Sequence, residues 1–232
     1  MSLSRRPARQ THPNRQDFDE AEYFLRHGAR MVRLCGLIAR SDLPETVEIP
    51  TGRPVLFAAN HRSFLDIVVA LAVFAKLSVA CRLQVRADIF DMPIIGRWVR
   101  RLRCIPTSRA VREQAKAMSV ETLASGSTVA VMPEGRLVPA EDRPNGVGQG
   151  RIGISRIAQE SGAVVIPVAI YGSDKIWPQG RPIPKLGLFR RRDLIVRLGP
   201  PLDFDDPDHQ VNVDRLMDTI ATMLADIEAE IA

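Results

Sequence analysis

With 232 residues, 45% of them hydrophobic and 25% charged, the chain has the make-up of one large folded domain and not of a disordered segment. Its formal charge of +5 rests on basic residues that are mostly arginine, which suits an anionic partner such as nucleic acid, an anionic bilayer or a phosphorylated metabolite. With three widely spaced cysteines (Cys35, Cys81, Cys104), no apolar signal core and no apolar run near the ~20 residues of a spanning helix, neither a disulfide scaffold, a metal-binding cluster nor a transmembrane anchor is expected, and a reducing, cytoplasmic setting is.

Taken in chain order, residues 1–18 form a basic tail rich in Arg, Pro, Asn and Gln, expected to be disordered. Residues 19–44 carry an amphipathic helix. Phe24, Leu25, Gly28, Met31, Val32, Cys35 and Ile38 share one face, while Glu22, Arg26, Arg30, Arg33 and Arg40 share the other. That pattern fits either a helix packed on the domain core or one lying in a bilayer interface, with Arg26, Arg30 and Arg33 toward anionic lipid. Residues 45–232 then alternate. Strands are expected at 54–60, 78–86, 103–108, 127–133, 163–172 and 193–199, and helices at 63–77, 91–102, 111–124, 152–161 and from about residue 214 to the end. Alternation of this kind predicts an α/β class fold, a single domain whose mixed, largely parallel sheet is flanked by helices. Ligand sites in such sheets gather beyond the carboxyl ends of the strands.

Two of those strand ends carry chemistry. In FAANHRSFLD, residues 57–66, a histidine closes a strand and Asp66 falls in the first turn of the next helix, with Ser63 read as that helix's cap. Helical side chains lean toward the N-terminus, so the Asp66 carboxylate points back at the His61 imidazole. A carboxylate on one ring nitrogen fixes the tautomer and leaves the other nitrogen to accept a proton. The second end, MPEGRL, offers Glu134, Gly135 and Arg136. Between them lies VRADIFDMPIIGRWVRRLRCIPTSR, which begins near Arg86 and ends in Arg109.

These blocks, with Ile166, Pro167 and Val168 further on, resemble the 1-acyl-glycerol-3-phosphate acyltransferases of glycerophospholipid synthesis. The family's Asn-His-x-x-x-x-Asp motif is matched at Asn60, His61 and Asp66, its Pro-Glu-Gly block at Pro133, Glu134 and Gly135, and its second motif at Arg86, Pro93, Gly96 and Arg109. The family usually reads Glu-Gly-Thr-Arg where Arg136 here follows Gly135 directly, and carries a glycine at the position of Arg103. The resemblance implies transfer of a fatty acyl group from a thioester, acyl-CoA or acyl carrier protein, to the free hydroxyl of a lysophosphatidic acid. His61 would be the general base and Asp66 its partner. Asn60, Arg86, Arg109, Glu134, Gly135 and Arg136 would bind substrate. No metal and no cofactor beyond the thioester are implied. The implied setting is peripheral, on the cytoplasmic side of the cell membrane against its anionic surface, with Trp98 either an interfacial anchor or a partly exposed structural residue. Oligomeric state has no signal in the sequence.

Other readings are weaker. A family member acting on another lysolipid or polyol acceptor shares every motif. A basic nucleic-acid-binding module is opposed by the 5% aromatic content and the lack of a binding motif. A hydrolase using Ser63 lacks the G-x-S-x-G elbow. Cys104 reads as a core cysteine.

Overall fold

The computed structural model describes residues 15–181, 183–185 and 191–232, with side chains from residue 21 onward. Residues 1–14, most of the expected tail, lie outside the described residues. The elements are α1 (Arg15–Ile38), β1 (Ala39–Asp42), β2 (Val55–Ala59), α2 (Asp66–Lys76), β3 (Cys81–Arg86), α3 (Ile95–Arg101), β4 (Ile105–Thr107), α4 (Arg112–Ala124), β5 (Thr128–Val131), α5 (Gly153–Ser161), β6 (Val164–Tyr171), α6 (Ser173–Ile176), β7 (Arg192–Leu198) and α7 (His209–Ile231). The fold is the expected α/β type, a single seven-stranded sheet in the order β1-β7-β6-β2-β5-β3-β4. Its neighbours pair in parallel except β6 with β7.

The central strands are buried on both faces, which is why they read as unbroken apolar runs. All eight residues of β6 are buried. Val164, Ile166, Val168 and Ile170 face α1 and α2, whereas Val165 and Ala169 face α5 and α7. The period-two alternation of a strand thus feeds two cores.

Helix α1 differs from its expected span in both directions. It begins at Arg15 and stops at Ile38, because residues 39–42 pair along β7 as an edge strand. The four residues ARSD carry no alternating pattern, so backbone pairing alone makes them a strand. The apolar stripe of α1 packs on α2, with Phe24, Gly28 and Cys35 buried. A Cβ on Gly28 would lie 2.4 Å from the Ala75 Cβ, so the two helices meet backbone to backbone there. Burying Phe24 alone contributes roughly 1.5–3 kcal/mol. Arg26, Arg30 and Arg33 stay exposed on the outer face, beside Leu34 and Leu37.

Helix α7 starts five residues before its expected position, since Asp208 caps it by accepting the Gln210 N–H at 2.8 Å. At Arg103, between α3 and β4, φ is +53°, in the left-handed region that favours glycine. The departure from the resembled motif noted above, arginine in place of glycine, thus falls where the backbone favours glycine.

Candidate active site

Strands β2, β5, β3 and β4 are parallel neighbours, so their carboxyl ends open on one edge of the sheet. The residues singled out in the sequence come from the ends of these strands. His61 follows β2, Glu134 to Arg136 follow β5, Arg86 closes β3 and Arg109 follows β4.

Beyond β2 the chain turns through a six-residue loop before α2 begins at Asp66. Ser63 therefore does not cap α2. Its buried hydroxyl accepts the Leu65 N–H at 3.1 Å and donates to the Trp177 carbonyl at 2.7 Å, which ties the loop to the end of α6 and leaves no proton for nucleophilic chemistry. The loop is organised by Asp66. One oxygen, Oδ2, lies 2.9 Å from His61 Nδ1 and accepts the N–H groups of Arg62 at 2.7 Å and Ser63 at 2.8 Å. A fully buried carboxylate at a helix N-terminus is favoured by the helix dipole and by these donors. Because the carboxylate can only accept, Nδ1 carries the hydrogen, and Nε2 of His61 presents its lone pair. The imidazole keeps 16% of its side-chain surface exposed, so it reaches the opening while its partner does not.

Two further residues hold His61 from behind. Asn60, fully buried, donates from Nδ2 to the Ile170 carbonyl at 3.0 Å and accepts the Ile170 N–H on Oδ1 at 2.7 Å. This amide extends the β2–β6 ladder past the last backbone pair, Ala59 with Val168. Glu134 accepts the His61 N–H on Oε2 at 2.5 Å and the Gly148 N–H on Oε1 at 2.9 Å. Burial raises its carboxyl above the ordinary 4.5, against the opposing pull of those two N–H groups. Both of its oxygens are occupied by backbone, so its carboxylate faces the loop and not the opening.

Gly135 turns the chain at φ +65°, and a Cβ there would meet the Arg151 guanidinium at 3.1 Å. Arg136 is exposed and pairs with Asp142 at 3.2 Å. Arg109 is exposed and, among the described residues, has no ion-pair or hydrogen-bond partner. Arg86 is exposed and held in two bonds to Asp88, at 2.6 and 3.0 Å, so its charge is already largely answered. Trp98 is partly buried against the α2-side core, on the short helix whose Arg101 lies 6.0 Å over the Tyr23 ring of α1. Cys104 is buried and its thiol is pushed up to about 12 by desolvation, which suits a core residue.

Sequence reasoning missed Arg62. It is 6% exposed and grips the Gly146 carbonyl through Nε at 3.1 Å and Nη2 at 2.5 Å, fastening the glycine-rich loop to the residue next to His61. Gly146 sits at φ +81°, and a Cβ there would strike Arg62 Nη2 at 2.7 Å. The glycines of that loop were the available signal, since they mark a close backbone approach. Between α2 and the sheet the apolar core leaves a small void of about 30 Å³, lined by Phe57, Ala59, Ile67, Ala70, Met132 and Val168 among others.

The described residues hold no helix long and apolar enough to cross a membrane. A family model described as Acyltransferase matches residues 43–171. The chain is similar to the chloroplastic 1-acyl-sn-glycerol-3-phosphate acyltransferase LPAT1 of Arabidopsis thaliana, 29% identical over 55% of this chain and 34% of that protein. It is similar to the chloroplastic 1-acyl-sn-glycerol-3-phosphate acyltransferase BAT2 of Brassica napus, 26% identical over 70% of this chain and 45% of that protein. The chain thus spans between a third and a half of the length of these two relatives. In three dimensions it resembles the crystal structure of the 1-acyl-sn-glycerophosphate acyltransferase PlsC from Thermotoga maritima, with a TM-score of 0.73, 20% identity, and coverage of 94% of this chain and 85% of that one, a likeness of fold.

Proposed function

This chain belongs to the acyltransferase family, and from that premise we propose that it transfers a fatty acyl group from an acyl thioester, acyl-CoA in the first instance, to the free hydroxyl of 1-acyl-glycerol-3-phosphate, giving phosphatidic acid. The observation that carries the reading is the 2.9 Å contact between His61 Nδ1 and Asp66 Oδ2, which leaves Nε2 free at the same sheet edge as Arg136. Similarity to curated acyltransferases of that acceptor supports the choice of substrate.

In this mechanism Nε2 of His61 takes the proton of the acceptor hydroxyl as its oxygen attacks the thioester carbonyl. The oxyanion intermediate collapses, the carbon–sulfur bond breaks, and the departing thiolate takes the proton back from the imidazolium. Asp66 steadies the imidazolium between the two transfers. General-base assistance of this kind gives ~10²–10⁴-fold, and holding the two substrates together adds at least as much. Arg136 and Arg109 bind the acceptor phosphate, with Arg86 a lesser contributor because Asp88 already engages it. Asn60 and Glu134 act by placing His61. No cofactor takes part, since the thioester is consumed as co-substrate.

The amphiphilic acceptor resides in a bilayer, so the enzyme works as a peripheral protein on the cytoplasmic side of the cell membrane. Exposed Met92, Ile94 and Ile95, next to Arg97 and Trp98, offer apolar and basic contacts, and Arg26, Arg30 and Arg33 extend the basic surface. The experiment is a thiol-release assay pairing one acyl-CoA with a panel of lysolipids. Preference for lysophosphatidic acid is expected. Equal or better turnover with an acceptor lacking phosphate would assign the chain to another acceptor.

A further inference from the structure

At the far edge of the sheet, at the same end as the dyad, lies a second cavity of about 690 Å³. It sits where the end of β6 and the starts of β1 and β7 come together with α6, and its walls include Arg40, Lys175, Lys185, Arg191 and Arg192, with Tyr171 at one side. Two carboxylates face it, and both are already paired. Asp193 bonds Arg40 at 2.8 Å, and Asp174 bonds Arg143, which lies outside the cavity wall, at 3.1 Å. Arg191 donates to the Gly36 carbonyl at 3.1 Å, in the last turn of α1. Lys175 lies 4.2 Å over the Tyr171 ring and donates to its hydroxyl. Among the described residues the side chains of Lys185 and Arg192 have no hydrogen-bond or ion-pair partner.

Lys175, Lys185, Arg191 and Arg192, which have no carboxylate partner among the described residues, repel one another, and a bound anion relieves that repulsion. A single carboxylate would answer only one of them. A phosphate brings several acceptor oxygens and more than one charge, and the arginine fork matches its geometry. We propose that this cavity is a phosphate-binding site separate from the dyad, taking the phosphate of a bilayer headgroup or that of the nucleotide part of an acyl thioester donor. The site goes beyond the acyl-transfer reading, and binding is read without turnover, so either can fail alone.

The test compares the full chain with the double variant Lys185→Glu, Arg192→Glu, using two probes. One is coenzyme A in a calorimetric titration. The other is sedimentation with phosphatidylcholine vesicles made with and without phosphatidylglycerol. The double reversal is expected to weaken at least one interaction by ~10-fold or more, and added salt should do the same. A loss confined to coenzyme A identifies the donor's phosphates, and a loss confined to anionic vesicles identifies a headgroup. Both positions are exposed, and circular dichroism checks the fold. Should the double variant misfold, Arg192→Gln is expected to give a smaller loss in the same arm. Arg156→Glu, on exposed α5 across the sheet, is the control for net charge. The proposal is overturned if neither probe distinguishes the wild type from the reversed protein, or if Arg156→Glu causes an equal loss.

Discussion

Glu134 accepts the backbone N–H of His61 at 2.5 Å, so the acid of one strand end holds the histidine of its neighbour by the main chain. The imidazole is thereby fixed from two sides, its ring by Asp66 and its backbone by Glu134. Replacing Glu134 with glutamine turns an NH₂ group against one of the two N–H donors. A displaced base slows the chemical step, and an error near 1 Å can cost ~10²-fold, so kcat should fall ~10–100-fold with little change in acceptor KM. Steady-state kinetics over a range of acceptor concentrations separates the two parameters, and a rise in KM at constant kcat would return Glu134 to substrate binding.

The same variant has a signature in stability. Burial lifts the Glu134 carboxyl above 4.5, so the folded protein holds that proton more tightly than the unfolded chain. Stability from this group is therefore complete below about pH 4.5 and is lost as the pH rises through the raised value. Glutamine cannot ionise. Urea denaturation at stepped pH should show the difference in stability moving in favour of Glu134→Gln as the pH climbs from 4.5 toward neutrality. A difference that stays flat would mean that the folded carboxyl titrates normally.

Arg136 and Arg109 stand exposed at the ends of two strands on the dyad's side of the sheet, one paired with Asp142 and the other without a partner among the described residues. Charge-assisted bonds contribute roughly 1.5–3 kcal/mol, so Arg136→Ala should raise the KM for lysophosphatidic acid ~10–100-fold and leave acyl-CoA binding intact. Should Arg109→Ala show that loss and Arg136→Ala none, the phosphate belongs to the second motif.

Much of this layout is legible in the sequence, for identifiable reasons. The buried strands announce themselves because a parallel sheet covered on both faces needs unbroken apolar runs, as in β6. The His61–Asp66 contact follows from a spacing that works only across a strand-to-helix junction. Tertiary pairing, by contrast, leaves little local trace. β1 is a strand because β7 lies beside it, not because ARSD favours extension. Asn60 and Glu134 look like substrate ligands in one dimension, yet their partners, Ile170 and Gly148, are distant in sequence and supply backbone groups without a chemical signature. Arg62 grips Gly146 for the same reason invisibly.

Helix α1 has a face buried on α2 and an exposed basic face, and variants can probe the two separately. Gly28→Leu should fail against Ala75 and the Leu71 carbonyl, lowering stability by ~1–3 kcal/mol, as overpacking does. Reversing the exposed Arg26 and Arg30 should leave the melting temperature within a degree or two and weaken sedimentation with anionic vesicles, since each basic residue near such a surface contributes ~1 kcal/mol. Thermal melts beside vesicle binding make the comparison, and reversals that leave vesicle binding untouched would assign α1 to packing alone.

The central claim is that His61 is the base, and its most direct measurement is acceptor-dependent thiol release by purified His61→Ala, with circular dichroism confirming the fold. The account predicts a loss of ~10²–10⁴-fold in kcat at unchanged secondary structure, with Asp66→Asn impaired to a lesser degree. A folded His61→Ala protein that releases thiol at a near-normal rate in the presence of lysophosphatidic acid would contradict it.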